Sequence, residues 1–317
     1  MDLHFVILLV SFILTVILSI VTIPYLKKLK IGQVVRTEGP ETHLKKSGTP
    51  TMGGIMMLIS ILLILIVFAF KYTVLILPII LIAGFGIVGF IDDRKKLVEH
   101  SSDGISAKMK MVLLFVFSTL FIILYVLGFN LGTELVIPFA KIPFELGIGV
   151  FVVFTMVVLL GTSNALNLTD GLDGLCSGVV SIVMTFFTIV ALKNNDIPMV
   201  ILGTSTVGAT LGFLIFNIKP AKVFMGDTGS LALGAAVASI AIIMKMPIYL
   251  LIVALIPVVE TLSVAMQVIY FKATKGKRLF KMAPLHHHLE LSGLKETTVV
   301  TLFWIITIVL CVIGYFI

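Results

Sequence analysis

Residues 228–271 read TGSLALGAAVASIAIIMKMPIYLLIVALIPVVETLSVAMQVIYF, and Lys245 and Glu260 are the only charges among them. A bilayer core takes about 20 apolar residues of helix. These 44 residues are too many for one crossing. Lys245-Met246-Pro247 supplies the turn between two. In lipid every backbone N–H and C=O has to be satisfied within the segment, so both crossings are read as helices.

Outward from this stretch, eight uncharged runs of spanning length recur: Phe5–Leu26, Met52–Phe70, Tyr72–Ile91, Met111–Phe129, Leu146–Ser163, Leu175–Leu192, Pro198–Ile218 and Thr297–Ile317. With the two above they predict ten spans. Composition agrees. Of 317 residues, 59% are hydrophobic and 12% charged, against roughly 25% charged in a soluble chain. That much apolar surface exceeds one water-soluble core, and the bilayer is its solvent. The expected fold is all-α, a polytopic integral membrane protein of about ten transmembrane helices forming one domain over 1–317. Met1–Leu26 does not read as a cleavable signal. It opens with Asp2 and His4 in place of a basic cluster, and its apolar run ends at Lys27, Lys28 and Lys30.

The charges fix an orientation. With the N-terminus outside, the segments joining spans 1–2, 3–4, 5–6, 7–8 and 9–10 hold 6, 5, 0, 2 and 6 Lys/Arg, 19 of the 23. The outer loops hold one each: Lys71, Lys141, Lys193 and Lys245. The positive-inside rule then puts both termini outside. The net charge of +7 points to anionic head groups or an anionic substrate at the membrane surface, not to nucleic acid. Cys176 and Cys311 lie in or beside apolar runs and form no metal or disulfide pattern.

Each inner loop carries an unusual cluster. The first is Lys45-Lys46-Ser47-Gly48-Thr49-Pro50-Thr51-Met52-Gly53-Gly54. It reads as a phosphate-approaching loop or as a basic cap with Thr51 as N-cap. The second, Asp92-Asp93, ends an apolar span before Arg94-Lys95-Lys96. Adjacent carboxylates suit Mg²⁺, which takes one or two of them plus substrate phosphates; they also simply end a helix. Lys108 and Lys110 open the next span, two apart and so on different faces. The third, Asn164-Ala165-Leu166-Asn167-Leu168-Thr169-Asp170-Gly171-Leu172-Asp173-Gly174-Leu175, lacks Lys and Arg. A helical turn would put Asp170 and Asp173 on one face. The fourth joins Asn217 to Phe224-Met225-Gly226-Asp227-Thr228-Gly229-Ser230, where Asp227 is a third inner acid or an N-cap. The fifth is Pro284-Leu285-His286-His287-His288-Leu289-Glu290 within a basic region. Three adjacent histidines cannot converge on one zinc from a helix, but imidazoles bind or protonate oxyanions. Glu260 stands apart as an ionisable group inside a span. Acids for Mg²⁺, bases for phosphate and amides with an aromatic for a nucleotide, all on one membrane face, predict phosphoryl transfer at the cytoplasmic surface.

These motifs, in this order, resemble the phospho-N-acetylmuramoyl-pentapeptide transferase (translocase I) family of bacterial inner-membrane enzymes, within the polyprenyl-phosphate N-acetylhexosamine-1-phosphate transferases. The resemblance runs from the first span to the last. It implies transfer of phospho-MurNAc-pentapeptide from UDP-MurNAc-pentapeptide to undecaprenyl phosphate, with Mg²⁺ as cofactor, membrane lipid as surroundings and a homodimer as assembly. Carried over, it makes Asp227 the first Mg²⁺ ligand, with Asp92 and Asp93 activating the lipid phosphate or beside the metal. Asn217, His286, His287 and His288 would line the phosphates. Lys46, Thr51, Asn164, Asn167, Asp170 and Asp173 would meet the nucleotide side, Phe224 would stack on uracil, and Lys108 is a further contact. The rivals are a polyprenyl-phosphate GlcNAc-1-phosphate transferase, which lacks reason for the His-His-His motif, and a flippase or transporter. Transporters gather polar groups at the bilayer midplane, where only Glu260 lies here.

Overall fold

The computed structural model describes residues 2–28, 48–99, 103–140 and 143–317. Its long helices are α1 (Leu3–Lys28), α2 (Gly54–Ala69), α3 (Ile76–Val98), α4 (Ala107–Ile123), α5 (Ile148–Thr169), α6 (Leu175–Lys193), α7 (Ile197–Asn217), α8 (Gly226–Ile243), α9 (Leu255–Ala273) and, after the short α10 (Leu285–Leu291), α11 (Glu296–Phe316). Among the described residues nine helices are long and apolar enough to cross a membrane. The chain is an all-α, multi-pass membrane protein, as its composition predicts.

The tenth expected span is α2, with 16 residues. It rises about 24 Å, short of a core of about 30 Å. The sequence places its start at Met52, but Pro50 to Gly53 are used otherwise. The Phe224 N–H donates to the Pro50 carbonyl, and the Gly53 and Gly54 N–H groups donate to the carbonyls of Phe224 and Met225, each at 2.8 Å. Two loops far apart in sequence are thus zipped together at the basic end of the bundle. At the other end, β1 (Glu134–Val136) and β2 (Pro143–Glu145) form a small antiparallel hairpin that the sequence did not predict.

Small residues set the packing around α7 and α8. Ser11, Thr15 and Ser19 of α1 are buried at four-residue spacing, and Gly208 and Gly212 of α7 let the α1 backbone approach. The Ser11 hydroxyl donates to the Ser205 carbonyl at 2.6 Å, and the Ser60 hydroxyl of α2 to the Ser11 carbonyl at 3.0 Å. Lipid gives helices no hydrophobic reason to associate, so close approach and such bonds do it. Gly89 of α3 lies against the Asp227 carbonyl, where any Cβ would collide. That contact lets α3 deliver Asp92 and Asp93 to the start of α8.

The turn expected at Lys245-Met246-Pro247 is present, and the chain continues through a 3-10 turn at Pro247–Tyr249. The single helical turn Leu250–Val253 stops at Ala254, and α9 begins beyond it. Pro257 accounts for the stop, because it has no N–H for the Val253 carbonyl and its ring crowds that position. The Cys311 thiol takes the freed carbonyl at 3.9 Å. Both cysteines are buried and unpaired.

Candidate active site

The ends of α3, α5 and α7 and the starts of α4, α6, α8 and α11 meet at the basic end. Asp92, Asp93 and Asp227 converge there, with one ligand atom from each lying within 4.8 Å of the others. The acids have different surroundings. Asp93 Oδ1 accepts the Asp227 N–H at 3.0 Å; Oδ2 accepts the Thr228 N–H at 2.9 Å and the Thr228 hydroxyl at 2.6 Å. It therefore caps α8 from another helix. Asp227 does not cap its own helix, since Met225 holds the N-cap position without a side-chain bond. A carboxylate at a helix N-terminus is also favoured by the helix dipole.

Asp227 faces cations. The Lys110 Nζ stands 2.7 Å and the Lys96 Nζ 3.1 Å from its Oδ2, while Oδ1 accepts from the Asn167 amide at 2.9 Å. The Asn167 amide also reaches Ser230 at 2.8 Å. Asp92 Oδ2 meets Lys96 at 2.6 Å, and its Oδ1 accepts the Ile105 N–H at 2.9 Å, just ahead of α4. One ammonium, that of Lys96, thus lies between Asp92 and Asp227. An all-oxygen set of this kind fits a hard cation such as Mg²⁺. Asp93 is the poorest donor of the three, because two of its three hydrogen bonds come from the backbone N–H groups that start α8, whereas the bonds of Asp227 come from side chains.

The remaining candidates divide. Lys46 lies outside the described residues. Thr51 is buried beside Gly226, and Phe224 is half-buried on the zipped loop. Lys108 is exposed; Lys110, two residues on, is the lysine that reaches the acids. Asn164 turns back to the Leu160 carbonyl at 2.7 Å and stays outside the cluster. Asp170 ends α5 with φ −79 and ψ 49, so it shares no helical turn with Asp173. Asp173 is a brace, donating its N–H to Glu296 at 2.9 Å and accepting the Ala221 N–H at 3.1 Å. Asn217 is buried as well. It accepts from the Gly174 N–H and the Ser177 hydroxyl and donates to the Val223 carbonyl, all at 3.0–3.1 Å. These bonds support the start of α6.

The histidines go three ways. His286 Nδ1 pairs with Glu260 at 3.0 Å and His287 Nδ1 with Glu290 at 3.2 Å, while His288 Nδ1 accepts the Lys281 N–H at 3.2 Å. The three Nδ1 atoms thus face three different partners. The sequence reading named Lys110 beside Lys108, and it gave no role to Lys96, Ser230, Glu290 and Glu296. Lys96 carries a legible signal, since it sits four residues after Asp92 on one helix face. Glu296, which also pairs with Lys219 at 2.7 Å, has none, because its partners lie far along the chain.

The sequence profile of glycosyl transferase family 4 matches residues 75–245, the span from α3 through α8 that builds the acid cluster. Three curated relatives are each named phospho-N-acetylmuramoyl-pentapeptide-transferase. That of Clostridium botulinum is 50% identical over 311 residues, covering 97% of this chain and 94% of the relative. That of Acetivibrio thermocellus is 49% identical over 316 residues, 99% and 94% of the two chains. That of Bacillus subtilis is 46% identical over 313 residues, 98% and 96%. Likeness of this depth, end to end, means that the chain belongs to the phospho-N-acetylmuramoyl-pentapeptide-transferase family.

Proposed function

We propose that the protein transfers phospho-MurNAc-pentapeptide from UDP-MurNAc-pentapeptide to undecaprenyl phosphate at the cytoplasmic face of the bacterial inner membrane. An oxygen of the lipid phosphate attacks the β-phosphorus of the donor. One P–O bond forms, the bond to UMP breaks, and lipid I and UMP result. One phosphoanhydride replaces another, so no further energy source enters. The observation that carries the reading is the Asp92–Asp93–Asp227 cluster with its two lysines, set where a lipid head group and a soluble nucleotide meet.

The residues divide the work. Asp227 and Asp92 would hold Mg²⁺, which when bound neutralises charge on the diphosphate. Lys110 and Lys96 are placed to take phosphate oxygens in place of the carboxylates they now meet. Asn167 fixes the direction of the Asp227 carboxylate. Asp93 holds the start of α8 in place. His287 serves the phosphates from the opposite loop, Phe224 stacks on the uracil, and Lys46, Thr51 and Asp170 contact the nucleotide side. A phosphate oxygen already bears charge, which favours direct attack over a phospho-enzyme. The active unit is one transmembrane domain, read as a homodimer.

The test is lipid I formation by purified protein with UDP-MurNAc-pentapeptide, undecaprenyl phosphate and Mg²⁺. Product that requires the divalent ion supports the reading. Turnover with UDP-GlcNAc alone would replace it with the GlcNAc-1-phosphate reaction. No chemistry with either donor would leave a lipid-binding or transporting role. Mass measurement of the detergent-extracted protein checks the dimer.

A further inference from the structure

Glu260 and His286 form a pair that the transfer site does not use directly. Both are 1% exposed. Glu260 lies inside α9, and one carboxylate serves two donors of the same residue. It accepts the His286 backbone N–H at 3.1 Å on Oε1 and faces the imidazole Nδ1 at 3.0 Å with Oε2. A carboxylate buried this deeply is costly unless it is paired and hydrogen-bonded. The two bonds fix both the place of the residue and the plane of its ring.

The far side of the ring is unusual. His286 Nε2 is buried with no hydrogen-bond partner among the described residues. It points at Gly171, the glycine between Asp170 and Leu172, and a Cβ at position 171 would run into it. With Nδ1–H held by Glu260, Nε2 carries a lone pair toward the turn that joins α5 to α6. The His287 ring packs beside it, with centroids 4.2 Å apart. The pair therefore joins three things: the interior of α9, the histidine segment and the Asp170–Asp173 turn.

We propose that Glu260 is a positioning residue for the transfer reaction: it sets the tautomer and direction of the His286 imidazole, and through it the placing of His287 against the Asp170–Gly171 turn. This rests on the transfer reading above. Glu260 touches no reacting atom, so its effect belongs in turnover more than in the grip on the nucleotide, which Lys46, Thr51 and Phe224 on other loops share with Asp170.

The test compares Glu260→Gln, His286→Asn, Gly171→Ala and the double variant Glu260→Gln/His286→Asn in the lipid I assay. Glutamine keeps the shape of glutamate but offers an N–H to Nδ1, which reverses the tautomer. Gly171→Ala displaces the ring without touching either partner of the pair. For each, kcat per folded enzyme is expected to fall about 10²-fold, the size of a small misplacement at a catalytic site, with KM for UDP-MurNAc-pentapeptide within about threefold of wild type. The double variant should be no worse than the poorer single, because both act through one contact. Wild-type kcat in Glu260→Gln, additive losses in the double, or a loss explained by unfolded protein alone would overturn the role. Should one variant fail to fold, Gly171→Ala still decides by the same split. A wild type that makes no lipid I takes down the transfer reading, and this role with it, which is a different result from an active wild type and an indifferent variant.

Discussion

Both ends of the bundle carry lysine–carboxylate pairs, and they have little else in common. At the basic end Lys96 bridges Asp92 and Asp227 while Lys110 holds Asp227, and the groups come from α3, α4 and α8. The acids there are buried or nearly so. At the far end Lys245 meets Glu134 alone, and both side chains are substantially exposed. The same chemistry is a shared, desolvated network in one place and a solvated brace in the other. In the network Asp227 alone bonds to three helices, α3, α4 and α5, while Asp92 and Asp93 tie α3 to the segment before α4 and to the start of α8. Exposed pairs are screened by water and contribute little.

The comparison is tested hardest at Asp227. Asp227→Asn removes the charge that meets both lysines, and lipid I formation should fall by about 10³-fold, as for loss of a main electrostatic stabiliser. The protein should fold, because the change also relieves crowding among three acids. Melting in detergent together with the transfer assay checks both halves. Full turnover in the variant would make the network a brace like the far one.

Asp93 separates the two jobs within the network. Asp93→Asn loses acceptors for the start of α8, and cap losses run to about 1–2 kcal/mol. Its melting temperature in EDTA should fall, whereas Asp92→Asn in the same buffer should melt no lower than wild type. If both variants melted at or above the wild-type temperature, Asp93 would be a ligand or repelled acid like its neighbour, and its capping bonds would carry no weight.

This division shows what could be read from the sequence and what could not. The spans were legible because bilayer thickness imposes a length on them, and the gathering of the clusters at one end because lysines and arginines fall on alternate loops. That Asp92, Asp93 and Asp227 belong to one site followed from their common membrane face. Which of them caps and which stays available did not follow, because the capping bond joins residues 134 positions apart. Asp170 and Asp173 misled in the opposite direction: their spacing suits a helical face, but α5 ends at Thr169, ahead of both. Asn217 and Asp173 look like contacts for substrate by type and motif, yet they bond to neighbouring segments, and His286 spends its Nδ1 on Glu260.

Lys110 and Lys108 sharpen the same point. Both open α4, and only the helix phase decides which one turns toward Asp227. Lys110→Ala should lower turnover about 10-fold or more, in keeping with loss of a charge-assisted phosphate contact, and Lys108→Ala by no more than about twofold. Equal losses would mean that both lysines reach the substrate from the loop before α4.

The smallest effect is expected at the far end. Removing the Lys245 side chain breaks the pair with Glu134, worth about 0–1 kcal/mol for an exposed bridge. The hairpin keeps its other tie, because the Val136 N–H bonds to the Lys245 carbonyl at 2.7 Å and not to its side chain. Lys245 also holds φ at +62, in the left-handed region that costs a residue with a side chain about 1–2 kcal/mol. Lys245→Ala loses the bridge and keeps that strain, so its melting point should drop slightly. Lys245→Gly loses the bridge and relieves the strain, so it should melt at or above Lys245→Ala. Lipid I formation should stay at the wild-type rate in both. A glycine variant less stable than the alanine one would mean that the left-handed backbone at position 245 carries no strain for glycine to relieve; a loss of turnover in either would join the two ends that the structure keeps apart.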